Sequence, residues 1–184
     1  MSGKSPSRHD TAAIMDKQLE PIIKAVQNKF NATLEEFRDE AHLFVTPGQI
    51  VDALTMLRDE HHFELLSALT AVDYYPQTSP RFHVIYQLTS ISKNLSVQLR
   101  VPLDGDNPKV PTVTRVYSVG LWRERELLDM FGIEAEGHPD PRRILMPEGT
   151  EGYPLRRDFP LGYEEPQFTF NFDEIDVRKP YVKE

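Results

Sequence analysis

Two segments of this chain place apolar residues at every second position. In the first, Phe82, Val84, Tyr86 and Leu88 fall on every second position. In the second, Leu95, Val97, Leu99 and Val101 alternate with Asn94, Ser96, Gln98 and Arg100. A strand points successive side chains to opposite faces, so each segment predicts a strand with one buried face. Only a Ser92-Lys93-Asn94 turn region separates them, which predicts an antiparallel hairpin with one wet face. Such a hairpin must find a cover for its apolar side, and the rest of the chain has to supply it.

Helices are the candidates. Ile14, Met15, Leu19, Ile22, Ile23, Val26 and Phe30 recur at helical spacing, with Pro21 either opening the main helix or kinking a longer one. Short extended segments are predicted at Ala32–Phe37 and His42–Val45. Thr46-Pro47-Gly48-Gln49 reads as a helix start with a capping box, and Ile50, Val51, Leu54 and Leu57 give the helix after it an apolar face. Glu64–Tyr75 is apolar enough to be a central strand. Pro102–Pro111 reads as a linker, Val113–Tyr117 and Leu121–Phe131 as helical, and Gly132 as the glycine that ends the last helix. The expected fold is α+β: a helix–two strands–helix–three strands–helix sandwich with helices on one face of the sheet, followed by a long extended C-terminal strap.

The strap is a separate problem. Residues 132–184 hold 7 of the 15 prolines and 5 of the 9 glycines, and no apolar period survives there. Yet the segment carries Tyr153, Phe159, Tyr163, Phe168, Phe170 and Phe172, and a disordered tail is poor in aromatics. Either it wraps its own domain or it buries those rings in a partner, and Phe168-Thr169-Phe170-Asn171-Phe172 can add as a strand to a neighbour. The expected organisation is a disordered N-terminus at 1–10, an α+β domain at 11–131 and the strap at 132–184.

Composition excludes several functions. The formal net charge of -8 argues against a nucleic-acid partner. With no cysteine, the chain can ligate neither a Cys-held iron–sulfur cluster nor a zinc ribbon. The N-terminus lacks the apolar core of a secretory signal, and no run of about 18 apolar residues exists to cross a membrane. There is no phosphate-binding glycine loop, dinucleotide fingerprint, nucleophile elbow or H-E-x-x-H pair. Asp104-Gly105-Asp106-Asn107 lacks the rest of a calcium loop.

Charged residues concentrate at Leu121–Pro160. Arg123, Glu124, Arg125 and Glu126 open the segment and Asp129 follows, with Glu126 and Asp129 on one helical face. Two carboxylates so placed suit metal binding or acid–base work. They suit salt bridges to Arg142-Arg143 or Arg156-Arg157 equally well, and structural ion pairs are the commoner use of such spacing. His138, between Gly137 and Pro139, fits a loop hydrogen bond better than a metal site, which needs more ligands. His83 is expected on the solvent side of its strand.

Taken together, Glu124-Arg125-Glu126, Asp129-Met130-Phe131, Gly132-Ile133, Glu136-Gly137-His138-Pro139-Asp140, Arg142-Arg143-Ile144-Leu145 and Gly152–Leu161 resemble the signature of the 30-kilodalton subunit family of respiratory complex I, the C-type subunit of NADH:quinone oxidoreductase. The strong likeness covers about 113–162. Leu121-Trp122-Arg123 departs from it, since the family more often has Asn-Trp-Tyr there.

The resemblance implies a cofactor-free subunit of a proton-translocating complex. FMN, iron–sulfur clusters and quinone would sit in partner subunits. The chain would pack on the 49-kilodalton-type (D-type) subunit, peripheral, on the cytoplasmic side of a bacterial membrane, and reach that membrane only through the complex. Related subunits occur in membrane-bound hydrogenases and in complexes with other electron donors.

On this reading Glu124, Arg125, Glu126 and Asp129 lock the helix to the strap through His138, Asp140, Arg142 or Arg143. Tyr153, Arg156, Arg157, Asp158, Phe159, Phe168 and Phe170 face the partner. The rival from another class is a small metal-dependent hydrolase using Glu126, Asp129 and His138.

Overall fold

The computed structural model describes residues 8–37, 40–147, 149–160 and 177, with side chains from residue 18 onward. Helix α1 (Arg8–Phe30) runs unbroken through Pro21. It buries Leu19, Ile22, Ile23, Val26 and Phe30, one stripe of its surface. The chain then forms β1 (Thr33–Phe37) and β2 (Glu40–Phe44), turns through Pro47–Gln49, and enters α2 (Ile50–Asp59). Strands β3 (Leu65–Asp73), β4 (Phe82–Ser90) and β5 (Leu95–Leu103) follow. After them come β6 (Lys109–Pro111), α3 (Gly120–Phe131) and β7 (Glu134–Glu136).

The main sheet has the order β1-β2-β5-β4-β3. Every neighbouring pair is antiparallel except β2 with β5, which makes the sheet mixed. The hairpin β4–β5 lies at its heart, with Val84 opposite Val101 and Tyr86 opposite Leu99. Those side chains, with Phe82, Leu88, Leu95 and Val97, form one buried face. Leu54 and Leu57 of α2 and Leu127 and Phe131 of α3 join the same core as the α1 stripe. The α+β sandwich expected from the alternation is therefore the fold.

Several local expectations change. Glu64–Tyr75 is an edge strand and not a central one. Its inner positions Leu66, Leu69 and Ala71 are buried, while Leu65 and Val72 stay exposed on the other face. The capping box at Thr46 does not form: its hydroxyl bonds the Gln49 side chain at 2.8 Å instead of a backbone amide, and the α-helix proper starts at Ile50. The Pro102–Pro111 linker contains β6, which pairs in parallel with β7 at the start of the strap. Val113–Tyr117 is a single turn closed by bonds onto the Val113 carbonyl. His83 lies on the face away from the helices but is half-buried there, its ring held by Phe44 at 5.6 Å and Tyr74 at 4.7 Å.

Candidate functional site

The signature residues meet where α3 lies against residues 132–160. Gly132 makes that junction possible. It ends α3 in the left-handed region at φ 69°, and a Cβ there would stand 2.5 Å from the Tyr153 ring and 2.7 Å from Arg156 Nη2. Glycine alone allows both the turn and the close approach.

Asp129 holds the returning chain. Its side chain is fully buried. Oδ2 accepts the backbone N–H groups of Ile144 at 3.0 Å, Leu145 at 2.7 Å and Met146 at 2.9 Å, and Oδ1 accepts Arg143 Nη1 at 2.9 Å. Burial by itself would raise the carboxyl pKa. The three amides and the guanidinium outweigh it and hold Asp129 below the usual aspartate range. Arg143 also donates to the Gly152 carbonyl at 3.1 Å, which ties the far part of the strap to the same point.

Arg125, on the next stretch of the helix, uses its fork on backbone. Nε donates to the Arg142 carbonyl and Nη2 to the Arg143 carbonyl, each at 2.8 Å. Asp140 lies 3.7 Å from the same guanidinium. It also accepts Arg142 in a two-bond fork at 2.6 and 2.8 Å, which holds its own carboxyl low.

Glu124 and His138 form the third anchor. Glu124 Oε1 accepts the Val113 N–H at 2.6 Å and Oε2 the Thr112 hydroxyl at 2.6 Å. His138 Nδ1 accepts the Asp140 N–H at 3.0 Å, so Nε2 carries the hydrogen and donates to the Leu121 carbonyl at 3.2 Å. The same Nε2 lies 3.9 Å from Glu124 Oε2, and both side chains are 2% exposed. Here burial prevails over the bonds and pushes the Glu124 carboxyl up.

Glu126 does not join the lock. It pairs with Arg123 on its own helix at 3.3 Å, at the half-exposed surface.

Residues 157 and 158 are pinned by Asp73 and Arg81, which sequence reasoning missed. Asp73, at the end of β3, is buried and accepts Arg81 through two bonds at 3.0 and 2.9 Å. It also takes the N–H of Arg157 at 2.9 Å, and Arg81 reaches Asp158 at 2.7 Å. Burial opposes ionisation of Asp73, but Arg81 and the amides of Arg157 and Tyr75 hold its pKa low, and Asp73 in turn raises that of Arg81.

Arg156, expected to face outward, turns in. Nε donates to the Phe131 carbonyl at 2.6 Å, and the guanidinium lies 4.4 Å from the Tyr153 ring centre and 5.3 Å from that of Phe82. Burial lowers its pKa. Tyr153 and Phe159 are half-buried, whereas Arg157 stays largely in solvent. Phe168 and Phe170 lie outside the described residues.

The three residues of the hydrolase reading do not converge. Asp129 is saturated by four donors, both His138 ring nitrogens are engaged, and Glu126 faces Arg123. No group of three or more metal-ligating side chains exists among the described residues. No described helix is long and apolar enough to cross a membrane.

Comparison with known proteins places these residues in context. The family model for the respiratory-chain NADH dehydrogenase 30 Kd subunit matches residues 43–165. A relative from Roseiflexus sp., a C-type subunit of NADH-quinone oxidoreductase, is 47% identical over 151 residues, 81% of this chain and 86% of its own length. Its namesake from Caulobacter vibrioides is 46% identical over 132 residues, 70% of this chain and 66% of its own. Among solved structures, a trypsin-resistant fragment of Nqo5 superposes with a TM-score of 0.60 at 27% identity, covering 67% of this chain and 98% of the fragment. A chain of an archaeal membrane-bound sulfane sulfur reductase shares the fold, with a TM-score of 0.68 at 21% identity over 91% of this chain and 96% of its own.

Proposed function

Because the chain belongs to the respiratory-chain NADH dehydrogenase 30 Kd subunit family, we propose that it is a structural subunit of an NADH:quinone oxidoreductase. It carries no redox group itself. It supports electron transfer from NADH to quinone by packing, through its α3–strap surface, on the 49-kilodalton-type subunit. FMN, iron–sulfur clusters and quinone reside in the partners. The chain sits peripherally on the cytoplasmic side of the bacterial membrane and reaches it only through the complex.

The observation that carries this reading is how the signature side chains are used. Arg125, Asp129, His138 and Arg143 spend their bonding capacity on fixing residues 138–152 against α3, and Glu124 spends its own on residues 112 and 113. A residue set serving chemistry would keep a donor or acceptor open toward a ligand. A set serving geometry closes on itself and presents a shaped surface. That surface carries Trp122, 60% exposed and 5.6 Å from the Arg125 guanidinium, and Leu145, 62% exposed. An exposed tryptophan such as Trp122 is a favoured anchor in protein interfaces.

The test is recovery of the tagged chain from detergent-solubilised membranes of its host. A 49-kilodalton-type partner should co-purify with flavin and iron–sulfur subunits, which also identifies the electron donor. Recovery of the chain alone, loaded with metal, would overturn the proposal.

A further inference from the structure

Glu124 has an arrangement that the strap lock alone does not require. A lock needs only an acceptor for the Val113 N–H and the Thr112 hydroxyl, which an uncharged amide supplies. The chain instead buries a carboxyl. Behind Thr112 stands a second hydroxyl: Thr112 Oγ1 and Thr114 Oγ1 are 3.0 Å apart, and the Thr114 N–H points at Thr112 Oγ1 from 3.3 Å. The titratable groups facing the carboxyl are few. His138 approaches from the strap and Tyr86, fully buried, from β4. The cations on its own helix are turned elsewhere, Arg125 to the Arg142 and Arg143 carbonyls and Arg123 to Glu126.

We propose that Glu124, Thr112, Thr114 and His138 form a proton-binding site at the point where the strap leaves the domain, with the proton carried on Glu124 Oε2. The geometry selects that atom. Oε1 faces an amide N–H, which can only donate, so a proton there would have no acceptor. Oε2 faces a hydroxyl that can reverse: the acid donates to Thr112 Oγ1, whose own hydrogen swings to Thr114 Oγ1. His138 Nδ1 is not a rival acceptor, because the Asp140 N–H already occupies it. The site therefore takes one proton without orphaning a buried polar group, and the burial that raises the Glu124 carboxyl favours it.

The sign of the linkage follows. A carboxyl whose folded pKa is raised binds its proton more tightly folded than unfolded. Its stabilising effect is full below the unfolded pKa, about 4.3, and is lost as pH rises through the folded one. The Glu124 anchor on residues 112–114 tightens on acidification, while the Asp129 clamp needs its charge and loosens. The two anchors of α3 respond to pH in opposite directions.

The experiment is a pH titration of the full chain labelled with carbon-13, following the Glu124 carboxyl carbon, beside unfolding of wild type and Glu124→Gln. Glutamine copies the protonated state, its oxygen to Val113 and its amide to Thr112. The Glu124 carbon should titrate above the ordinary glutamate value of about 4.3. The wild-type unfolding constant should rise against that of Glu124→Gln by up to about tenfold per pH unit between the two pKa values. Titration at or below the ordinary value overturns the proposal. So does a His138 ring that takes up the proton while the Glu124 carbon stays in its ionised position. The carbon titration decides the matter even where the variant folds poorly.

Discussion

Asp129→Asn is the sharpest test of how the strap is held. The asparagine oxygen can keep the three amides of Ile144, Leu145 and Met146, which all fall on one carboxylate oxygen. The other oxygen accepts Arg143 at 2.9 Å, and there the variant presents an NH2 group. A charge-assisted bond worth about 1.5–3 kcal/mol becomes two donors facing each other. The amides also lose a charged acceptor for a neutral one. The expected loss is about 3 kcal/mol, a large share of a typical domain stability of about 5–15 kcal/mol.

Urea unfolding followed by circular dichroism reads the total, and amide exchange at 144–146 reads the site. Because the folded Asp129 carboxyl is held low, its contribution is complete above the unfolded pKa of about 3.9 and is lost as pH falls through the folded value. The gap between wild type and variant should therefore be full at neutral pH and shrink below about pH 4. A variant within about 0.5 kcal/mol of wild type at pH 7, with unchanged exchange at those three amides, would refute the reasoning.

Four further outcomes follow from the same geometry. Gly132→Ala should cost at least about 2 kcal/mol, from the left-handed φ and the clash with Tyr153, and should lower the melting temperature while exposing that ring to solvent. Arg81→Met should cost about 3–5 kcal/mol in denaturant titration, since it leaves the buried Asp73 carboxylate without its main partner. Glu126→Ala, by contrast, removes only a half-exposed pair with Arg123 and should change stability by less than about 0.5 kcal/mol, while Arg125→Lys, which loses a fork onto two carbonyls, should cost about 1–2 kcal/mol in the same titration.

The sequence by itself determined the sandwich. The strict period of Phe82–Leu88 and Leu95–Val101 admits only strands with one buried face, and the helical stripes of residues 19–30 and 50–57 admit only covers for it. Those signals are local, because side-chain direction repeats within a strand or a helix turn. The signature at 124–143 was legible differently, as an order of charged, glycine and proline residues that resembles the family's.

Tertiary structure alone decided which charges meet. Glu126 and Asp129 share a helical face, yet only Asp129 is inside, because the return of 143–146 covers that part of α3 and leaves Glu126 to Arg123. The pairing of Arg81 with Asp158 spans 77 residues and leaves no local pattern. Arg156 reads as surface charge in one dimension, and it becomes a packed wedge because Gly132 lets Tyr153 close over it. The edge position of β3 and the β6–β7 pair were hidden too, since the order of strands depends on connections that period and propensity do not encode.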